Sequence, residues 1–444
     1  MICYFVSSPS SPTKDNISTS LLSKRWRNLW LSVPALDLDS KNFKDVDSLL
    51  QLIDEFLESN EERDIRRFKL IYHAFKHSHD DFVPKIDDVV KRRVRHLTVL
   101  NQVEVDEALV RLPPSLYSCG TLVDLTLYAV VFDHPEEEVV SLPCLKTMHL
   151  EAVKFDGTKI LKRLISSCPV LEELVIVTHP GDYLGVVFVR SQSLKSFKLE
   201  SEREEIFGDQ SLDPKVEIDS PSLEYLIVYD YKPKSFSIHS ISPSAEVTID
   251  VTFDDDPLKR TRIRNFLRGI STVRELIISA RTLKVIKAFS HFEPLPQFSN
   301  LSRLDASFVG SILELLPTFL GCCPNLQSLF MDFDCLPETD EIKLSSVPRC
   351  FLSSLEFVQM ETPITGTKPS LQMNLAKYFM SNCGVLKTLV VSKSFSSIIK
   401  KIKRIPKRPG GCEVVMINQP CDVVYQTSTL LPVVYPYFHS NQVY

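Results

Sequence analysis

The sequence predicts an α/β solenoid, in which a curved parallel sheet carries helices on its convex side. Three observations predict it. The pattern Leu-x-x-Leu-x-Leu recurs along most of the chain, its clearest occurrences are 23 to 29 residues apart, and several connecting segments have helical apolar spacing. Offsets of three and five residues place two side chains on the same face of a short strand. One strand cannot bury that face alone, so the units must stack.

The spacing of the pattern is typical of leucine-rich repeats, whose period is about 20 to 29 residues. Two adjacent units, residues 127–133 and 150–156, also match outside the motif at an offset of 23. One unit without the full pattern is expected at Val247, Ile249 and Val251. The pattern begins most clearly at Leu122, Leu145, Leu171, Leu194, Leu223, Val273, Leu326, Leu355 and Leu386, and more weakly at Ile65, Val94 and Leu301.

The connecting segments supply the helices of this prediction. Residues 84–94, 159–165 and 312–316 have apolar residues at helical spacing. In four units a cysteine lies three positions before the first leucine of the motif. A free cysteine behaves as a small apolar residue, so we expect these four to be buried structural residues: Cys119, Cys168, Cys323 and Cys383.

Composition excludes several classes of protein. Acidic residues number 56 and basic residues 51, so the net charge of −5 gives no reason to expect nucleic acid. Glycine occurs only 12 times, and no phosphate-binding loop, His-Glu-x-x-His or Gly-x-Ser-x-Gly motif is present. His73, His77 and His79 lie in a polar insertion that we interpret as a solvated loop. We therefore expect no enzyme activity, no cofactor and no metal.

The apolar runs are too short to span a membrane, and the N-terminus lacks the apolar core of a secretory signal. We expect an intracellular protein of the cytoplasm, the nucleus or both, without a membrane partner. Residues 12–30 instead have the apolar spacing of a short helix. The residues on its apolar face are Ile17, Leu21, Leu22, Trp26, Leu29 and Trp30.

Part of this helical segment closely resembles the second half of the F-box of plant F-box proteins. Residues 20–30 read Ser-Leu-Leu-Ser-Lys-Arg-Trp-Arg-Asn-Leu-Trp. Residues 33–39, Val-Pro-Ala-Leu-Asp-Leu-Asp, resemble that family's junction into its leucine-rich repeats. Residues 347–358, 375–380 and 385–389 resemble the FBD domain that ends many of these proteins.

The resemblance implies a substrate-recognition subunit of a Skp–cullin–F-box ubiquitin ligase. The apolar residues of the helical segment would contact the Skp-type adaptor of the cullin complex, and the repeats would bind a protein substrate. The domain boundaries implied are a partial F-box at 1–33, the repeats at 34–344, an FBD domain continuing the repeats at 345–417, and a divergent tail at 418–444, for which disorder is one interpretation.

The resemblance begins at Pro12, and the sequence departs from the family before it. Residues 1–11 have neither the Leu-Pro-x-x-Leu opening nor the amphipathic period of the family's first F-box helix. We therefore expect a truncated F-box with weakened adaptor docking. The alternative that stays open is a leucine-rich-repeat scaffold that binds protein without recruiting a ligase.

Substrate contacts are expected on the concave face. Residues at offsets +2, +4 and +6 of each motif alternate with the buried ones, and repeat proteins commonly bind partners there. Aromatic side chains are frequent anchors of protein interfaces. The candidate substrate-binding residues are Tyr128, His149, Lys198, Tyr225, Tyr229 and Phe330.

Overall fold

The described part of the chain consists of twelve segments and one isolated residue. A computed structural model describes residues 33–59, 64–73, 82–102, 110–132, 139–155, 159–178, 185–201, 215–253, 258–335, 344, 346–362, 369–406 and 411–417. The predicted tail at 418–444 lies outside the described residues. So do the six residues predicted to contact the adaptor: Ile17, Leu21, Leu22, Trp26, Leu29 and Trp30.

The described part of the chain contains twenty-one short strands. They are β1 (Ala35–Asp39), β2 (Arg67–Tyr72), β3 (His96–Asn101), β4 (Val110–Arg111), β5 (Asp124–Tyr128), β6 (Val130–Phe132), β7 (Thr147–Glu151), β8 (Lys154–Phe155), β9 (Glu173–Thr178), β10 (Val186–Arg190), β11 (Ser196–Ser201), β12 (Lys215–Asp219), β13 (Tyr225–Tyr231), β14 (Ser235–Ser240), β15 (Glu246–Val251), β16 (Glu275–Ile278), β17 (Arg303–Val309), β18 (Ser328–Cys335), β19 (Phe357–Glu361), β20 (Thr388–Ser392) and β21 (Glu413–Ile417).

Fifteen of these strands form one parallel sheet, which confirms the predicted solenoid. Its order is β1-β2-β3-β5-β7-β9-β11-β13-β15-β16-β17-β18-β19-β20-β21, so neighbouring strands follow one another along the chain. Each motif in the sequence produces one strand, which begins two residues after the first motif residue. Leu122, for example, precedes the strand that begins at Asp124. The unit expected at Val247, Ile249 and Val251 is β15.

The +3 and +5 positions of the motif form two buried columns that run across the sheet. Leu125, Met148 and Leu174 are successive members of the first column and are at most 1% exposed. Burying one large aliphatic side chain contributes roughly 1.5–3 kcal/mol. Because each column places an apolar side chain on every strand, most of them buried, the columns link the stacked units into one continuous core.

Helices connect many of the main-sheet strands and bury apolar residues in the same core as these columns. The predicted helices near residues 84–94 and 159–165 are present. The third prediction, at 312–316, is instead mostly 3-10 helix (Gly310–Leu315) followed by a short α-helix. The α-helices are α1 (Val46–Ser59), α2 (Phe82–Lys91), α3 (Ile160–Ser166), α4 (Lys259–Ile270), α5 (Ala280–Ser290), α6 (Leu316–Gly321), α7 (Cys350–Ser353), α8 (Pro369–Asn382) and α9 (Ile399–Ile402).

The middle of the opposite wall contains strands that the sequence analysis did not predict. Two three-stranded parallel sheets, β4-β6-β8 and β10-β12-β14, join the wall there. Residues 186–189 read Val-Val-Phe-Val, and β-branched and aromatic residues favour a pleated, half-buried surface. Val187, Val189 and Val216 are fully buried in the common core.

The identity between the units at 127–133 and 150–156 has a structural reason. Ala129 and Ala152 both have a positive φ, of 51° and 50°. Each turns the chain from the main sheet toward the opposite wall, and the amide of Ala129 donates a hydrogen bond to the carbonyl of Glu151 at 3.0 Å. Two adjacent repeats therefore contain a turn of the same conformation at the same position.

The four cysteines are buried as predicted. Cys119, Cys168, Cys323 and Cys383 are at most 6% exposed. Burial raises the pKa of the Cys168 thiol to about 12, so this thiol is neutral and unreactive at physiological pH. Among the described residues, no helix is long and apolar enough to cross a membrane.

Candidate functional site

Side chains that alternate with the buried columns form the concave face of the sheet. Since every neighbouring pair of main-sheet strands is parallel and in constant register over its first residues, these side chains line up in three rows. The first row starts with Ala35, Arg67 and His96; the second row starts with Asp37 and Lys69; the third row starts at Asp39 on the same strand. The rows bring residues some 25 positions apart in sequence to about 4.8 Å spacing.

The concave face contains all six residues predicted to bind substrate, but they do not form one cluster. Tyr128 and Tyr229 lie in the third row, four strand spacings or about 19 Å apart. Tyr225 is in the first row and is 38% exposed. The second row contains the remaining three: His149, Lys198 and Phe330.

Two of the predicted residues pair with a carboxylate on their own strand. The Nε2 of His149 lies 3.5 Å from the Oε2 of Glu151, and the Nζ of Lys198 lies 2.6 Å from the Oε2 of Glu200. Both pairs are partly exposed to solvent. In each pair the two side chains point toward one another along the strand, and both remain partly accessible at the concave face.

Carboxylates dominate the face from β5 onward. The rows of β1 to β3 are balanced, with Asp37 and Asp39 beside Arg67 and Lys69. From β5 to β21 the rows hold eleven carboxylates but only two side chains with a permanent positive charge, Lys198 and Arg303. The carboxylates are Asp124, Glu151, Glu173, Glu200, Glu246, Asp250, Glu275, Asp305, Asp332, Glu361 and Glu413. Among these, Asp250 is buried and forms an ion pair with Arg281 of α5.

One stretch of the face combines these carboxylates with aromatic rings. Its strands, β15 to β19, follow one another directly in the sheet. We call it the acidic–aromatic patch; it consists of Glu246, Glu275, Arg303, Asp305, Phe330, Asp332, Phe357 and Glu361.

Arg303 places its guanidinium over the Phe330 ring of this patch. Its guanidinium carbon is 4.0 Å from the centroid of the Phe330 ring, and its Nε is 3.9 Å from a carboxylate oxygen of Glu275. The rings of Phe330 and Phe357 are 5.1 Å apart and tilted by 38°. A cation over an aromatic face is stabilised by the ring quadrupole, so the patch already contains one cation–ring contact of its own.

Asp305 is the most perturbed carboxylate of the patch. Its pKa is raised from 3.8 to about 6, chiefly by burial; Arg303 acts in the opposite direction, and the negative charges of Asp332 and Glu361 add smaller upward effects. Burial, together with the neighbouring Glu275, also raises the pKa of Glu246. The raised pKa values reflect mainly the burial of these two carboxylates, with smaller contributions from the neighbouring carboxylates.

Sequence reasoning selected Phe330 from the patch and missed Phe357 and most of the patch carboxylates. The signal was present, because the motifs at Val273, Leu301 and Leu355 place Glu275, Asp305 and Glu361 at outward offsets. Among the described residues no group of three or more His, Cys, Asp or Glu side chains could hold a metal ion. The arrangement can bind a surface of complementary charge and shape.

Comparisons with known proteins match most of the chain. A family model described as "FBD-associated F-box protein At5g56370, LRR repeats" matches residues 86–249, and the FBD model matches residues 343–391. In Arabidopsis thaliana, the F-box/FBD/LRR-repeat protein At1g80470 is 54% identical over 95% of this chain and 91% of its own length. The FBD-associated F-box protein At1g60410 is 52% identical over 88% of this chain and 95% of its own length. The F-box protein At1g60400 is 49% identical over 86% and 94%.

Proposed function

Because the chain belongs to the plant F-box/FBD/leucine-rich-repeat family, we propose that it is the substrate-recognition subunit of a Skp–cullin–F-box ubiquitin ligase. The observation that carries the proposal is the 54% identity to an F-box/FBD/LRR-repeat protein over 95% of this chain. The uninterrupted concave face of fifteen strands supports it, since curved repeat sheets are surfaces on which other proteins bind.

The proposal divides the work between the parts of the chain. Residues 1–33 contact the Skp-type adaptor, residues 34–344 form the repeats, and residues 345–417 form the FBD domain. The strands β19 and β20, which lie in the FBD match, extend the same sheet as the repeats. In this proposal the repeats and the FBD domain present one binding face.

In this role the chain makes and breaks no covalent bond. It holds a protein substrate near the ubiquitin-transferring enzyme of the cullin complex, inside the cell, and acts by raising the local concentration of the reacting groups. The concave candidates Tyr128, His149, Lys198, Tyr225, Tyr229 and Phe330 are proposed to contact the substrate.

A second candidate function is a protein-binding scaffold without a ligase. The observation that favours it is the sequence of residues 1–11, which has no Leu-Pro-x-x-Leu motif and no amphipathic period. The two functions share the concave face and differ only in adaptor binding.

Co-purification of the full chain with a Skp-type adaptor distinguishes them. We expect the wild-type chain and the concave variant Phe330→Ala to retain the adaptor and the variant Leu21→Asp to lose it, because Leu21 lies on the apolar face of the F-box segment. Addition of cullin, ubiquitin and the activating enzymes should then ubiquitinate the receptor itself. Failure to retain the adaptor, even with a complete first F-box helix fused upstream, would refute the ligase function and leave the scaffold.

A further inference from the structure

We propose that the acidic–aromatic patch binds an extended basic segment of the protein substrate, in which Lys or Arg side chains lie next to aromatic or aliphatic ones. This inference rests on the proposed function, in which the concave face holds the substrate, and it specifies the chemistry of that substrate.

The first support is the charge of the face. From β5 to β21 the rows carry eleven carboxylates, one of them paired with Arg281, and two permanent cations, whereas the whole chain carries 56 acidic and 51 basic residues. Negative charge is therefore concentrated on this side of the sheet. Within the patch, Arg303 is the single cation among five carboxylates. Such a face attracts a positively charged segment and repels acidic peptides, phosphates and nucleic acid.

The second support is the crowding of the carboxylates within the patch. Asp305 lies in the second row, and the patch carboxylates of β18 and β19, Asp332 and Glu361, both act on it electrostatically. Asp332 and Glu361 are direct register partners on neighbouring strands, and like charges on neighbouring strands destabilise one another. A Lys or Arg side chain placed above these carboxylates would relieve the repulsion. The free energy recovered in this way is available to binding.

The third support is the aromatic floor. The guanidinium of Arg303 lies over the ring of Phe330, with its carbon 4.0 Å from the ring centroid. The ring of Phe357 lies beside the Phe330 ring, on the neighbouring strand β19. Phe357 is only partly buried. A second cation can stack there in the same manner, with Glu361 on its own strand close enough to contribute charge. Aromatic contacts and charge together specify a basic and partly apolar segment.

The dimensions of the surface fit an extended chain. From Tyr225 and Ile227 on β13 to Phe357 on β19 the face crosses five strand spacings, roughly 24 Å. About seven residues of extended polypeptide span that length at roughly 3.3 Å per residue. The apolar residues Ile227 and Phe357 lie at the two ends of this stretch. Four of the five patch carboxylates lie on the strands between them, and Glu361 lies on the strand of Phe357.

A random library of twelve-residue peptides displayed on phage tests the proposal on the full chain. The library is selected on the wild-type chain, on the triple variant Asp305→Asn/Asp332→Asn/Glu361→Gln, and on a control variant that neutralises three carboxylates outside the face, Glu58→Gln/Asp64→Asn/Glu314→Gln. We expect the wild-type chain and the control to enrich peptides with a net positive charge and the triple variant to lose that enrichment.

The dissociation constant of the most enriched peptide is then measured by fluorescence anisotropy. Each exposed charge pair contributes about two- to fivefold in affinity, so the triple variant should bind at least about tenfold more weakly, while the control binds like the wild type. Affinity should also fall between 0.05 M and 0.5 M salt, since salt screens exposed charges. Thermal unfolding of the triple variant serves as the folding control.

Enrichment of neutral or acidic peptides, enrichment of none, or equal affinity for the wild type and the triple variant would overturn the proposal. These outcomes are separable from failure of the ligase function, because the adaptor assay depends on residues 1–33 alone. A chain that retains the adaptor and selects no basic peptide loses only this inference. A chain that selects basic peptides and retains no adaptor loses only the ligase.

Discussion

Asp305 lowers the stability of the folded chain at neutral pH, and the substitution Asp305→Asn should recover that loss. The carboxylate sits in the second row of the concave face, where burial and the charges of Asp332 and Glu361 raise its pKa to about 6, against the opposing effect of Arg303. Asn has nearly the same shape and carries no charge at any pH. The substitution therefore removes the buried negative charge, together with its repulsion by Asp332 and Glu361, without opening a cavity.

The pKa difference sets the size of the effect. A rise from 3.8 to about 6 corresponds to about 3 kcal/mol between the charged and neutral forms at about 1.4 kcal/mol per pH unit. Because water reaches Asp305 from the open face, this value is an upper bound, and we expect a gain of about 1–3 kcal/mol at pH 7.5.

The direction follows from proton binding. The folded chain binds the proton of Asp305 more tightly than the unfolded chain does, so the wild-type chain loses stability as the pH rises from about 4 to about 6. Below about pH 4 the residue is protonated in both states, and wild type and variant should differ little. The advantage of Asp305→Asn therefore appears between these pH values and is complete above them.

Urea denaturation of the full chain at pH 4.0, 5.5 and 7.5 measures the difference. The matched control is Asp64→Asn, whose side chain is 54% exposed and 3.9 Å from Arg93; it should stay within about 0.5 kcal/mol of wild type at each pH. If Asp305→Asn is no more stable than wild type at pH 7.5, or gains as much at pH 4.0, the electrostatic account of the patch is wrong.

Three further substitutions test the framework by thermal or urea denaturation. Leu276→Ala, at a fully buried position of the first column, should cost about 2–5 kcal/mol; a loss under 1 kcal/mol would contradict a tightly packed column. Arg281→Met should cost about 3 kcal/mol or more by stranding the carboxylate of Asp250, whose side chain is 5% exposed, and the added change Asp250→Asn should restore part of it. Gly269→Ala should lower the melting temperature although alanine favours helix by about 1 kcal/mol, because the new Cβ would lie 3.0 Å from the Cβ of Ile238 and 3.3 Å from its backbone nitrogen; an unchanged melting temperature would show that β14 yields to α4.

The main sheet could be predicted because its determinants are local and repeated. Each motif places its buried pair within six residues, so the register of a strand such as β5 is written in its own sequence. The outermost strands were harder. In β1 the buried residues Leu36 and Leu38 follow Val33 at the motif offsets, but this unit was not among the repeats predicted from the sequence. In β21 Met416 is 37% exposed, because no further strand of the described chain covers that edge.

The opposite wall and the patch depend on contacts that cross between repeats. A connection such as residues 186–190 must match the shape of the next unit, and whether it forms helix or strand follows from that neighbour. The patch has the same origin. Asp305 and Asp332 are unremarkable surface residues in their own strands, and only the register between β17 and β18 brings their charges together.

Binding and protonation at the patch must be coupled if a basic segment binds there. A cation above Asp305 favours its charged form, so the pKa of the carboxylate is lower in the complex than in the free chain, and binding releases protons. By linkage, affinity then rises with pH and falls as the pH drops through about 6. The selected peptide should bind the wild-type chain several-fold more weakly at pH 5.0 than at pH 7.5. The Asp305→Asn variant should bind more weakly than wild type at pH 7.5 and change less with pH. Equal pH dependence in the two chains would mean that the segment does not contact Asp305, which places it elsewhere on the face.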